Sequence, residues 1–103
     1  MYDVILSGPI SGRGDYKLRF AQAVVRVHGV RPEARIWNPA ELDADREYIW
    51  YMRQCVGVVM DGALTGCVMV CLRDWHTSKG SRAEVMLARA LGMKTVDLER
   101  YGK

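Results

Sequence analysis

The 103-residue sequence has no apolar stretch approaching the ~20 residues that a membrane span needs, and its mean hydropathy is −0.10. A spanning helix is excluded. A secretory leader is not expected either. Asp3 comes at once, and Gly8-Pro9 cut the first apolar run after Leu6, short of the ~7–15 apolar residues a leader requires. Nowhere are two Lys or Arg adjacent, although 15 basic residues face 12 acidic ones and the net charge is +3. Nucleic-acid arms and membrane-binding patches cluster their cations. Neither a polymeric nucleic acid nor a membrane is therefore expected as a partner, whereas scattered cations still suit a small anionic ligand. Histidine is scarce. His28 and His76 are the only two, and neither sits at ligand spacing from a cysteine, so no metal and no other cofactor is expected.

The three cysteines are an odd number: Cys55, Cys67 and Cys71. The last two lie four residues apart in a segment read as one strand, about 13 Å, which is too far for a disulfide. Buried free thiols follow, in a reducing and hence cytoplasmic compartment. No repeat, low-complexity tract or linker divides the chain. With 50% apolar and 26% charged residues, residues 1–103 read as a single globular domain.

What is present alternates. Tyr2 to Leu6 is a short apolar run closed by Ser7-Gly8-Pro9, a buried strand. A helix is expected from Asp15 to Gly29, its apolar face carried by Leu18, Ala21, Val24, Val25 and Val27. Residues 34–37 form a second strand, closed by Asn38-Pro39. The next helix is expected from about Asp45 to Met60. Its segment Tyr48-Ile49-Trp50-Tyr51-Met52 is apolar or aromatic nearly all round, so that helix is either central or in contact with another subunit. Cys67 to Leu72 is continuously apolar, as a parallel strand covered on both faces must be. A helix from Ser78 to Leu91 stops at Gly92, and Lys94 to Leu98 is a last strand. This order predicts an α/β fold: a three-layer sandwich around a four- to five-stranded parallel sheet, Rossmann- or flavodoxin-like. Ligands of such sheets bind beyond the carboxyl ends of the strands. The loops Gly8–Gly14, Asn38–Leu42 and Arg73–Gly80 should then share one rim.

In the third helix Arg82 and Arg89 lie on one stripe and mark the wet side, while Glu84 lies roughly 140–160° round from both. Glu84 thus projects from the apolar side, near the helix start. A carboxylate there is solvated by a cleft, paired, or functional. The plain alternative is a surface glutamate tied to Arg73 or Lys79, or favoured by the helix dipole. Ser78-Lys79-Gly80-Ser81 opens the same helix. Ser78 suits an N-cap, and the free N–H groups and hydroxyls there also suit an anion. The loop Ser7-Gly8-Pro9-Ile10-Ser11-Gly12 matches no established phosphate-binding motif and is equally a tight turn. Trp37 and Trp50 read as core or interface. Trp75, beside Asp74 in the third rim loop, is core or a base-stacking surface.

Taken together, V-I-L-S-G-P-I-S-G, then W-N-P-A, Y-M-R, R-D-W-x-x-S-K-G-S-R-A-E and A-x-x-L-G resemble the small phage and bacterial DUF4406 proteins. These are similar in turn to the nucleoside 2-deoxyribosyltransferases and the 2'-deoxynucleoside 5'-monophosphate N-glycosidases, mainly through the first loop and S-x-G-x-x-x-E, here Ser78, Gly80 and Glu84. The resemblance implies a nucleoside or nucleotide substrate. It makes Glu84 the nucleophile that attacks C1' of the deoxyribose, and it puts the 5'-phosphate on Ser78, Gly80 and the neighbouring Ser81. Ser7, Gly8, Ile10 and Gly12 would line the sugar-base pocket, with Asn38 and Trp75 on the shared rim. It also implies a homo-oligomer with shared sites, in the cytoplasm of a bacterial or phage-infected cell. Two departures stand out. The acidic residue that usually precedes the glycine is Lys79, and an aspartate at the start of the third strand is replaced in Gly66-Cys67. Asp74 is the candidate replacement carboxylate, contacting the sugar or protonating the base. The exchange of acid for Lys79 tilts the substrate from nucleoside to nucleotide. A catalytically silent nucleotide-binding module and a purely structural oligomer stand as the alternatives.

Overall fold

The computed structural model describes residues 1–10 and 13–103. Strands β1 (Val4–Ser7), β2 (Ile36–Trp37), β3 (Val68–Cys71) and β4 (Lys94–Asp97) alternate with helices α1 (Tyr16–Val30), α2 (Tyr48–Thr65) and α3 (Lys79–Ala90). The strands lie side by side in the order β2-β1-β3-β4, and every pairing is parallel. This is the flavodoxin-like order, and the expected α/β sandwich is realised with four strands.

Side chains alternate across a strand, and that alternation splits the core into two halves. Val4, Leu6, Val70 and Leu72 face α1, where they meet Phe20, Ala23 and Val27. Ile5, Met69 and Cys71 face the other way, against Cys55 and Val59 of α2 and Val85 and Ala88 of α3. Each fully buried aliphatic side chain contributes roughly 1.5–3 kcal/mol. Ser7 shares the parity of Ile5, so the one polar residue of β1 points at the α2 and α3 layer.

Two sequence expectations are corrected. The buried stripe of α1 is Phe20, Ala23 and Val27, while Leu18 and Val25 are exposed. Phe20 is the largest fully buried side chain on that stripe. α2 begins at Tyr48 rather than Asp45 because Asp43 organises the preceding turn. Its carboxylate accepts the Asp45 N–H and the Arg46 Nε, each at 3.2 Å. At the other end α2 runs on to Thr65 and closes on Gly66, whose φ of 77° is left-handed. Among the described residues no helix is long and apolar enough to cross a membrane.

Candidate active site

The carboxyl edge of the sheet carries a cavity of about 570 Å³. The three rim loops meet there, through Gly8, Pro9, Ile10 and Arg13, through Pro39 and Leu42, and through Thr77 to Ser81. Glu84 lies at its base, on the second turn of α3, and is only 6% exposed. Behind it stands Ser7, fully buried, whose Oγ lies 2.9 Å from Glu84 Oε1 and 3.1 Å from Ser81 Oγ. The Cys55 thiol of α2 lies close to the carboxylate.

Burial pushes the Glu84 carboxyl up to about 7, against the opposing pull of Ser7 and Cys55 beside it. Glu84 therefore gives up its proton less readily than a solvated carboxyl. Burial, and the carboxylate beside it, push the Cys55 thiol upward, so it remains protonated.

The start of α3 forms one wall. Ser78 is the N-cap, its Oγ accepting the Ser81 N–H at 3.2 Å. Both residues line the cavity with Lys79 and Gly80 between them. Gly80 is there for space. A methyl group on it would stand 3.2 Å from Met52 Sδ, 3.5 Å from the Tyr48 hydroxyl and 3.9 Å from Glu84 Oε2. The glycine lets the first turn of α2 close on the first turn of α3. Gly8 serves the opposite wall: a methyl there would stand 2.8 Å from Leu72 Cβ, so the first loop runs hard against the end of β3.

Of the residues expected at the site, Glu84, Gly8, Ile10, Ser78, Gly80 and Ser81 line the cavity, and Ser7 supports Glu84 from behind. Gly12 lies outside the described residues. Asn38 does not reach the lining. Its side chain accepts the Ala40 N–H at 3.0 Å and caps the short turn Pro39–Glu41, leaving Pro39 to face the cavity. Trp75 also lies off the lining; it packs on the α2 and α3 half of the core with the Arg89 guanidinium 5.6 Å from its ring centre.

Asp74 is engaged elsewhere. It pairs with Arg13 Nη1 at 2.7 Å and with Arg19 Nη2. The hydrogen bond from Arg19 and the two nearby positive charges hold its carboxyl below the usual range. Asp74 thus fixes Arg13, which lines the cavity. Among the described residues Glu84 is the only carboxylate in the lining.

The sequence reading missed the contribution of α2 and of the turn before it. Tyr48, Tyr51, Met52 and Cys55 all line the cavity, as does Arg46. The near-continuous apolar surface of that helix hid which side chains would face α3. The spacing of Tyr48, Met52 and Cys55, three to four residues apart, was the available signal.

No curated protein matches the chain, and no solved structure does. A family model described as Domain of unknown function (DUF4406) matches residues 2–97, which takes in all four strands, the three helices and every described cavity residue, and the chain belongs to that family.

Proposed function

We propose that the protein cleaves or transfers the N-glycosidic bond of 2'-deoxynucleoside 5'-monophosphates through a deoxyribosyl ester on Glu84, as the nucleoside 2-deoxyribosyltransferase-like enzymes do. The observation that carries this reading is a single buried carboxylate at the base of a cavity of about 570 Å³, a size suited to a small molecule. A carboxylate nucleophile must be ionised yet poorly solvated. Burial removes the water, and the hydrogen bond from Ser7 favours the charged form.

In the first step a Glu84 oxygen bonds to C1' while the C1'–N bond breaks and its electron pair leaves with the base. In the second, water or another base attacks C1' and the ester C–O bond breaks, restoring the carboxylate. The helix start at Ser78, Gly80 and Ser81, with Lys79, suits the 5'-phosphate. Gly8 and Ile10 border the space left for sugar and base. Neither step uses a metal or a cofactor. Free deoxynucleotides place the reaction in the cytoplasm.

The working form is a homo-oligomer. Along α2, Ile49, Met60 and Leu64 are 69%, 48% and 87% exposed, and Gly57 between them has open space around it. A second copy of α2 crossing antiparallel at Gly57 would cover this stripe and set Arg53 opposite Asp61 of its partner, twice. Light scattering should give at least a dimer, and Leu64→Glu should shift it towards monomer; a monomeric wild-type protein would remove this assembly.

The test of the chemistry is base release, measured chromatographically with each deoxynucleoside monophosphate and its nucleoside, with and without an acceptor base. Wild-type protein should release base and Glu84→Gln should not. One observation favours a second reading, a nucleotide-binding module without turnover: no second carboxylate lines the cavity among the described residues. In that case no base appears, yet a nucleotide at 100 times its Kd still stabilises both proteins by about 2.7 kcal/mol.

A further inference from the structure

The reaction just proposed leaves one proton to be placed. A base departing with the C1'–N electron pair needs a proton on nitrogen, and the ionised Glu84 has none to give. Asp74 lies off the lining and is held ionised by Arg13 and Arg19. The Tyr51 hydroxyl is committed to the Asp43 carbonyl. Ser81 and Ser78 are tied into the hydrogen bonds with Ser7 and with the backbone of α3.

Tyr48 is placed differently. Its hydroxyl and Glu84 Oε2 come within 4 Å of one point, the position of the missing Cβ of Gly80. They approach that point from different helices. Oε2 is also the carboxylate oxygen that Ser7 leaves alone, since Ser7 lies on Oε1. In two-step glycoside displacement the nucleophile and the acid stand roughly 5–5.5 Å apart, a separation this arrangement allows. Tyr48 is moreover the first residue of the 18-residue α2, where the positive end of the helix dipole favours a phenolate once the proton has gone.

Resting on that reading of the site, we propose that Tyr48 is a catalytic residue, the acid for the departing base. As the Glu84–C1' bond forms and the C1'–N bond breaks, the phenol proton passes to the base nitrogen. When water attacks C1' of the ester, the phenolate takes one proton from it, and both side chains return to their starting state.

The experiment compares wild type with Tyr48→Phe on two substrates. One is the unmodified nucleotide that the wild type cleaves. The other has the same sugar phosphate with a base that leaves unassisted, N7-methylated for a purine or 5-nitro-substituted for a pyrimidine. Tyr48→Phe removes one oxygen from a half-exposed ring, and its turnover of the activated substrate reports an intact site. The expected loss is about 100-fold or more on the unmodified substrate and less than about threefold on the activated one. Equal losses on both would overturn the role of Tyr48 alone. A wild type silent on every substrate, the activated ones included, would overturn the glycosidic reading itself.

Discussion

Ser7 and Glu84 are 77 positions apart in the chain, yet the Ser7 hydroxyl donates to Glu84 Oε1 at 2.9 Å in a buried setting. The contact joins the end of β1 to the second turn of α3 and orients the carboxylate. One oxygen is held from behind; the other lies on the side of Gly80 and Tyr48. A hydrogen bond to an ionised group is worth roughly 1.5–3 kcal/mol, enough to offset part of the cost of burying the charge.

That balance fixes a pH dependence. Glu84 titrates near 7 because burial raises it, and only the ionised form is a nucleophile. Base release, measured as kcat/KM, should rise with pH through about 7 and level off above. Ser7→Ala removes a bond that favours the ionised form, so its midpoint should move upward. A profile flat from pH 5 to 9 would exclude Glu84 as the ionising nucleophile.

The same shift acts on stability with the opposite sense. The folded-state value is raised above the unfolded one, so Glu84 adds no penalty below about 4.5, and the fold loses stability as pH rises through about 7. The loss is on the order of 3 kcal/mol. Glu84→Gln lacks the titration. Its unfolding free energy relative to wild type should therefore grow between pH 4 and pH 8 by a few kcal/mol, read from urea unfolding. A constant difference would show that Glu84 is not buried in solution.

Asp74 anchors Arg13 and Arg19 at the cavity's edge. Asp74→Asn should loosen Arg13 and raise KM for the nucleotide several-fold, with kcat largely kept. Steady-state kinetics decide the matter: a fall in kcat at unchanged KM would assign Asp74 to the chemical step.

The two glycines should respond differently to alanine. At Gly8 the new methyl meets Leu72 Cβ at 2.8 Å, close to the backbone, and overpacking of that kind costs about 1–3 kcal/mol of stability. At Gly80 the nearest atom is the far end of Met52, at 3.2 Å, which can move aside. Gly80→Ala should melt close to wild type while losing most of its base release. A large drop in melting temperature for Gly80→Ala with activity retained would contradict this account of the wall.

The alternation of apolar runs and helical stripes was enough to predict a parallel sheet and a shared rim, because these rest on periodicities of 2 and 3.6 residues. Glu84 was legible for the same reason: its angle from Arg82 and Arg89 put a carboxylate on the apolar side of a short helix. Ser7 was named for the first loop, but its bond to Glu84 depends on β1 and α3 lying side by side. α2 was opaque. A helix apolar nearly all round has several stripes of equal standing, so the spacing of Tyr48, Met52 and Cys55 puts them on one face without saying that this face turns to the site.

Asp74 and Trp75 mark the same boundary. By position both lie in a rim loop, as read from the sequence, but position in a loop does not set where a side chain turns. Arg13 and Arg19, brought in from the first loop and α1, claim Asp74, and the core claims Trp75. The sequence by itself determined the elements, their order and the helix that carries the carboxylate, since each depends on neighbours within a few residues. Only the tertiary structure decided what surrounds that carboxylate. Its partners come from distant segments, and burial among them, rather than any local preference, lifts Glu84 to about 7.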